Sequence, residues 1–219
     1  MLMNGPLSWG VLPMPLPHPI RLCSGLHRQM LALPFLCWGI CSASAQHSTY
    51  NIFKGNNIVG SIQALRLAEN DRTTYVVTSY SAIEMVLKQV VRTSMATIYF
   101  HGDVVACNTV LRLNKGLRDS SNMSPHDGVW RCYVHPDALF QRTSAAQWTT
   151  ARMYFEEPVD QAFIFVESVL RDCPLRKIGP NTYPLTFPNR NVNRYVYRDG
   201  ILQEVHVDRA LVDLVFRRA

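Results

Sequence analysis

The feature that most constrains this chain is a pair of apolar, β-rich segments joined by Asp199-Gly200. Val192–Arg198 and Ile201–Val207 flank that dipeptide. Asp-Gly supplies the positive φ angles of a tight type I′ turn, whose twist matches that of the strands it joins. The second segment alternates: Ile201, Gln203, Val205 and Val207 are assigned to one face, and Leu202, Glu204, His206 and Asp208 to the other. A period of two is the signature of a strand with one face buried.

The same punctuation recurs upstream. Ser48–Lys54 and Asn57–Leu67 are split by Gly55-Asn56-Asn57, and Met95–His101 and Val104–Leu113 by Gly102-Asp103. Thr73–Ile83, Val129–Val134, Thr149–Phe155 and Ala162–Phe165 also read as strands. Met85–Arg92 reads as a strand or a helical turn, and Arg209–Arg218 as a last strand or short helix. Asn114–Gly128 is polar and reads as a loop, and Glu167–Asp172 as a short helix stopped by Pro174. Tyr183–Phe187, between Pro184 and Pro188, reads as a short or edge strand, because proline cannot donate to a central ladder. No long segment has a helical period with caps. The expected fold class is therefore all-β with minor α: an antiparallel, strongly curved sheet or half-open barrel with one short helix.

The first 45 residues differ from the rest. Pro13, Pro15, Pro17 and Pro19 punctuate a region without apolar period. His27-Arg28 then precede an apolar run from Leu31 to Ile40 and the small residues Ser42-Ala43-Ser44-Ala45. This is the layout of a secretory signal, with the cut expected after Ala45. The run is far shorter than the roughly 20 residues of a membrane-spanning helix. Residues 1–45 are thus expected to be leader and signal peptide, and 46–219 one β-rich domain that is periplasmic or extracellular. Cys41 does not fit lipid attachment, because the bulky Ile40 precedes it.

Composition excludes some classes. With 47% hydrophobic and 17% charged residues, the chain is not disordered as a whole. Its net charge is +6, but the basic residues are scattered, among them Arg66, Arg92, Arg112, Arg142, Arg176 and Arg194. Nucleic-acid binders concentrate such charge on one helix, groove or tail, so no nucleic-acid partner is expected.

Chemistry-bearing motifs are sparse. The sequence lacks a Gly-x-Ser-x-Gly elbow, a His-Glu-x-x-His, a phosphate-cradling glycine loop and a paired Cys-x-x-Cys. No catalytic residue, metal site or cofactor is assigned. Cys107, Cys132 and Cys173 follow the expected cut, an odd number that allows one bridge plus a free thiol, or three reduced buried thiols. Cys132 and His135 would point to opposite faces of a strand. His126-Asp127 and His101-Gly102-Asp103 have the residue types of solvated turns. Glu156 and Glu157 would point apart in an extended segment, with one of them bound to backbone or a nearby Arg and Pro158 setting the turn; a polar gate to a cavity is the functional alternative.

Tyr195 and Tyr197 share a face of their strand, as Met153 and Phe155 would on theirs. Such pairs ordinarily pack a core. In a sheet curved around a cavity the same face would line an apolar ligand site, which makes Phe155, Tyr195 and Tyr197 the candidate ligand-binding residues.

The last third carries a resemblance. Tyr154-Phe155-Glu156-Glu157-Pro158, Pro174-Leu175-Arg176, Gly179, Tyr183-x-Leu185, Pro188-Asn189 and Tyr195-x-Tyr197-x-x-Gly200 occur in that order, after Tyr50-x-Ile52 and Gly60-Ser61-Ile62. The series resembles a domain-of-unknown-function family of small exported bacterial proteins. The long Pro-rich leader and Cys173 before Pro174 depart from the family's usual form. The resemblance implies a single β-rich domain, similar in outline to periplasmic carriers with a half-open barrel, and no defined catalytic residue. The leading expectation is a non-catalytic binding or carrier module for an apolar small molecule or lipid. The alternatives are a hydrolase-like enzyme using Cys107, Cys132 or a histidine, and an assembly partner exposing a strand edge.

Overall fold

The computed structural model describes residues 43–84, 88–208 and 212–219. The signal segment through Ser42, the start of Met85–Arg92 and the start of Arg209–Arg218 lie outside them. Eight strands follow one another from the first described residue: β1 (Ala43–Lys54), β2 (Asn57–Glu69), β3 (Arg72–Glu84), β4 (Lys88–Phe100), β5 (Asp103–Leu113), β6 (Gly116–His126), β7 (Val129–Val134) and β8 (Ala138–Arg142). After an irregular crossing come β9 (Phe163–Val166), β10 (Arg171–Pro174), β11 (Thr182–Thr186), β12 (Val192–Arg198), β13 (Ile201–Asp208) and β14 (Leu214–Arg218).

Twelve strands form one sheet in the order β11-β12-β13-β14-β1-β2-β3-β4-β5-β6-β7-β8, and all its neighbours are antiparallel. The fold is all-β and antiparallel, as the turn chemistry predicts. β9 and β10 form a separate two-stranded ribbon. β11 is an edge of the large sheet, in keeping with its Pro184.

The turns do what their residues require. Both residues have positive φ at His101-Gly102, Asp127-Gly128 and Asp199-Gly200. In four hairpins one residue soon after the turn is skipped by the ladder: Val59, Val105, Arg118 and Gln203. Such bulges sharpen the local twist and bend the strand. They also reset the side-chain parity. Tyr197 pairs with Leu202 and Val196 with Glu204, so Leu202 joins Val205 and Val207 in the core. Ile201, assigned by alternation to the face of Val205, is instead 46% exposed.

Three segments take a different secondary structure from the one expected. Asn114–Gly128 is not a loop: β6 occupies most of it, buries Ser121 and Met123, and leaves polar residues outward. Its Pro125 lies beyond the last β5 pair, Cys107–Met123, so the missing N–H costs the ladder nothing there. Thr149–Phe155 is not a strand but a turn with a short 3-10 segment at Arg152–Tyr154. Glu167–Asp172 is not helical: Leu170 has a φ of 51°, and Arg171 already belongs to β10.

The inward face of the large sheet is covered by the crossing segment and by β9. Tyr50 (β1), Tyr75 (β3), Thr97 and Tyr99 (β4), Ser121 (β6), Tyr183 (β11) and Tyr197 (β12) all donate hydroxyl hydrogen bonds to residues between Thr149 and Glu167. Strands from nearly the whole width of the sheet thus converge on one short stretch of chain. Met153, Ile164, Phe165, Val166 and Leu170 complete the core there. The β9–β10 ribbon is tied to both edges of the sheet: to β11 through the Leu175–Leu185 bridge and Arg176 N–H to the Pro184 carbonyl at 3.1 Å, and to β8 through an Arg142–Asp172 ion pair at 2.9 Å. The large sheet does not close on itself by a continuous ladder; its edge strands β11 and β8 are linked through this ribbon.

Candidate functional site

The aromatic candidates lie in the covered interior. Tyr195 and Tyr197 share the inward face of β12, and each is 4% exposed. The Tyr197 hydroxyl donates to the Met153 carbonyl at 2.7 Å, and its ring meets that of Tyr183 edge-on. Phe155 is half-buried against the Tyr75 ring, with centroids 5.6 Å apart. The expected sharing of a strand face by Met153 and Phe155 does not occur, because the backbone there is a turn. The interior face is occupied by the protein's own chain around these residues.

The crossing segment is held by a buried carboxylate that no sequence motif marks. Glu167 is fully buried. Its Oε1 accepts from Thr97 Oγ1 at 3.1 Å and Ala151 N–H at 3.0 Å, and its Oε2 from Thr150 N–H at 3.1 Å and the Thr150 hydroxyl. The Glu167 carbonyl accepts from Ser121 Oγ at 2.6 Å. These bonds fix the turn at Thr149–Ala151 and are why the segment is not a strand.

Glu156 and Glu157 have separate partners, although they follow a 3-10 turn and do not close the strand expected from the sequence. Arg152 donates to Glu156 Oε2 through Nε at 2.9 Å and Nη2 at 2.6 Å, while Tyr75 donates to Oε1 at 3.0 Å. Glu157 Oε1 accepts from Tyr183 at 2.7 Å. Burial, followed by the charge of Glu156, pushes the Tyr75 hydroxyl up to about 12. Burial, followed by the Glu157 hydrogen bond, takes Tyr183 to about 12.

The remaining chemical candidates do not converge. Cys107, Cys132 and Cys173 are free and buried. Cys107 and Cys132 each pair with Met123, from opposite sides, so two strand spacings separate them. That is about 10 Å, beyond disulfide reach. Burial pushes all three thiols up, which disfavours the nucleophilic thiolate. His126 faces Asp127 at 3.3 Å and Arg131 at 3.2 Å on an exposed turn, and His101 faces Asp71 at 3.7 Å on another. His135 follows β7, its N–H bonded to the Ser120 carbonyl at 2.8 Å, while Cys132 is buried within that strand.

Two clefts lie at the seam. One, of ≈ 320 Å³, is lined by Arg142, Ser144–Trp148, Gln161, Phe163, Phe165 and Asp172. The other, of ≈ 420 Å³, is lined by Phe140–Ser144 and Leu170–Asp172. They share Arg142, Ser144 and Asp172 and so adjoin across the ion pair. The Arg142 side chain is only 14% exposed. Its guanidinium stacks 4.9 Å from the Phe165 centroid, and Nε donates to the Ser144 carbonyl at 2.6 Å. Phe163 is 58% exposed. Trp148 is covered on one side by Arg152, 4.2 Å from its ring centroid. Phe155, Tyr195 and Tyr197 line neither cleft. Sequence reasoning missed these residues because Arg142 and Asp172 come together from separate strands across the seam, with no local spacing to connect them.

Among the described residues, no three His, Cys, Asp or Glu side chains are grouped to hold a metal ion, and no helix is long and apolar enough to cross a membrane.

Fold and seam together describe an open, β-barrel-like protein with a cleft where its ladder is interrupted. A solved structure has the same kind of fold: the crystal structure of a beta-barrel-like protein of domain of unknown function DUF1849 from Brucella abortus. It superimposes with a TM-score of 0.52 at 12% identity, covering 79% of this chain and 94% of that one. No family model matches the sequence, and no curated protein matches it significantly. The likeness is one of fold, to a protein that itself carries no assigned function.

Proposed function

We propose that this protein is a non-catalytic binding module that works after export. Removal of the leader through Ala45 leaves residues 46–219 as one β-rich domain in the periplasm or outside the cell. Its ligand is a small amphipathic molecule with an apolar body. The observation that carries this reading is the pair of adjoining seam clefts, ≈ 320 and ≈ 420 Å³, whose walls combine Phe140, Trp148, Phe163, Phe165 and Leu170 with Arg142, Gln147 and Gln161. Their size is at the lower end for small-molecule sites, and their walls mix aromatic side chains with a larger share of polar groups, which suits a ligand that carries polar atoms as well as an apolar body. The Phe155, Tyr195 and Tyr197 face lies apart from both clefts, in the interior packed by the crossing segment. A ligand reaching it must displace the segment around Met153, against the hydrogen bonds that hold it.

Catalysis has less support. The buried thiols are poor nucleophiles, and each exposed histidine turn offers one carboxylate and no adjacent nucleophile.

The test is native mass spectrometry of the mature protein purified from an exporting host. An added mass that disappears on denaturation is expected, and Phe163→Ser should reduce its occupancy. A bare polypeptide mass under conditions that preserve the fold overturns the reading.

A further inference from the structure

We infer that the rim formed by the β1–β2, β3–β4 and β5–β6 turns docks on the anionic surface of a phospholipid bilayer. None of the residues that carry this inference lines either seam cleft, so it goes beyond the reading above and does not depend on it.

In a run of antiparallel strands, alternate turns lie at the same end. Contacts tie these three together. Lys54 Nζ donates to the Glu84 carbonyl at 2.7 Å, and Asn114 N–H to the Val90 carbonyl at 2.6 Å. The two ends of the sheet differ in charge. Over each turn and the two strand residues flanking it on either side, this end carries Lys54, Lys88, Arg112 and Lys115 against Glu84, a net of three positive. The β2–β3, β4–β5 and β6–β7 turns at the other end carry Glu69, Asp71, Asp103 and Asp127 against Arg72, a net of three negative with histidine neutral. The fold thus sorts charges that are scattered in the sequence.

A second observation is independent of that count. Arg92 on β4 stands directly opposite Arg112 on β5, and both are exposed. Like charges placed this way destabilise a sheet. Neither arginine is ion-paired to a described carboxylate, and nor are Lys115 and Arg118 beside them. Arg92 contacts neutral groups: its guanidinium lies 5.2 Å from the Tyr80 centroid, and Nη1 donates to the Asn114 carbonyl at 3.4 Å. The facing pair costs the free sheet stability, and an anionic surface laid against it removes the repulsion.

Exposed apolar side chains stand among these charges. Ile58 is 61% exposed, and Leu117, directly opposite Arg112, is 47% exposed. Interfacial binding draws on both kinds of group. Apolar side chains enter the headgroup layer, and each Lys or Arg near an anionic surface adds about fivefold in affinity. A soluble polyanion matches the charge but leaves Ile58 and Leu117 in water. Basic groups spread over three separate turns suit a broad surface better than one small anion.

The test sediments the protein, purified from an exporting host, with vesicles of phosphatidylcholine, alone or with about one third phosphatidylglycerol. Binding at least about tenfold tighter to the anionic vesicles is expected, and it should fall as salt screens the charges. Arg112→Glu is the decisive variant. It sets a carboxylate opposite Arg92, so the urea midpoint should rise while binding to anionic vesicles drops by about tenfold or more. A lower midpoint overturns the inference, because Arg112 then stabilises the sheet as it stands. Unchanged vesicle binding by the folded variant also overturns it. Leu117→Ser should weaken binding by about threefold with every charge intact, and no effect would reduce the contact to charge alone and overturn insertion of the rim. Asp71→Asn combined with Asp127→Asn removes acidic charge from the other end and should leave binding unchanged. A gain there as large as the loss in Arg112→Glu overturns the inference, because net charge and not the rim then drives attraction. Equal binding to the two kinds of vesicle does the same. So does binding to soluble dextran sulfate without binding to the anionic vesicles, which assigns the rim to a polyanion.

Discussion

Glu167 shows how one side chain can organise a fold that sequence patterns do not reveal. All four partners of its carboxylate are donors, and two of them are backbone N–H groups that cannot reverse role. Those two N–H groups address different oxygens. In Glu167→Gln, either orientation of the amide turns an NH₂ toward one of them and leaves a buried N–H without an acceptor. The expected loss is about 2–3 kcal/mol, read as a lower urea midpoint at unchanged slope. The tyrosines that hold the same segment respond to pH. Tyr75 and Tyr183 are raised from 10.0 to about 12, and burial raises Tyr50, Tyr99, Tyr154 and Tyr197 as well. Above pH 10.0 the unfolded chain releases these protons while the folded chain retains them, so the stabilisation falls as pH rises toward about 12. Tyr75 and Tyr183 each contribute a slope of about −1.4 kcal/mol per pH unit in that window, and the other tyrosines act in the same direction. Urea unfolding at successive alkaline pH values should show the decline, with tyrosinate absorbance rising in step with unfolding. Early titration of the tyrosines in the folded protein would contradict it.

At the scale of the element, hairpins were legible and the pieces between them were not. Asp199-Gly200 declares its turn because only residues tolerant of positive φ suit both positions, whereas the turn read at Gly102-Asp103 falls one residue earlier, at His101-Gly102, with Asp103 opening β5. The bulge at Gln203 is silent: nothing in Ile201–Val207 distinguishes an unbroken alternation from one that skips a residue. β6 was hidden because Ser121 and Met123 are its buried side chains, so its inward face barely registers as apolar. The turn at Thr149–Ala151 has a non-local cause in Glu167, sixteen to seventeen residues away, which no window around that turn contains, whereas the helix expected after Val166 is broken by the positive φ of Leu170 and the start of β10. The bulge at Val59 has a testable consequence. It brings Gly60 against β3 so closely that a Cβ would lie 2.0 Å from the Tyr80 carbonyl oxygen and 2.6 Å from Ser81 Cα. Gly60→Ala must move backbone, at a cost of about 3 kcal/mol. Gly179→Ala, where a Cβ meets nothing within 4 Å, should stay within about 0.5 kcal/mol of the parent. Thermal or urea midpoints of the two variants check the contrast, and equal effects would refute the close-approach account.

For the whole molecule, the decisive pairing joins the last strand to the first. Leu214–Phe216 are apolar enough to demand a partner, but their pattern does not say which one, so neither strand order nor the seam could be read from the sequence. β14 lies between β1 and β13, with Phe216 opposite both Ile52 and Val205. Through that single strand the run from β1 to β8 continues into β11–β13. The same two parts are also joined by the crossing segment, which Tyr50, Tyr75 and Tyr99 hold from one side and Tyr183 and Tyr197 from the other. The two connections differ in kind. The ladder satisfies backbone groups that otherwise need water, whereas the tyrosines bind a segment that is itself held by Glu167. Deleting residues 214–219 leaves unpaired edges on β1 and β13 and removes the Phe216 ring from between Ile52 and Val205. Native-state hydrogen exchange should then show β11–β13 losing protection well before β2–β5, whose ladders do not involve β14. Uniform retention of protection would assign the joining of the two parts to the crossing segment. Uniform loss would make the sheet one cooperative unit whose stability depends on its last strand.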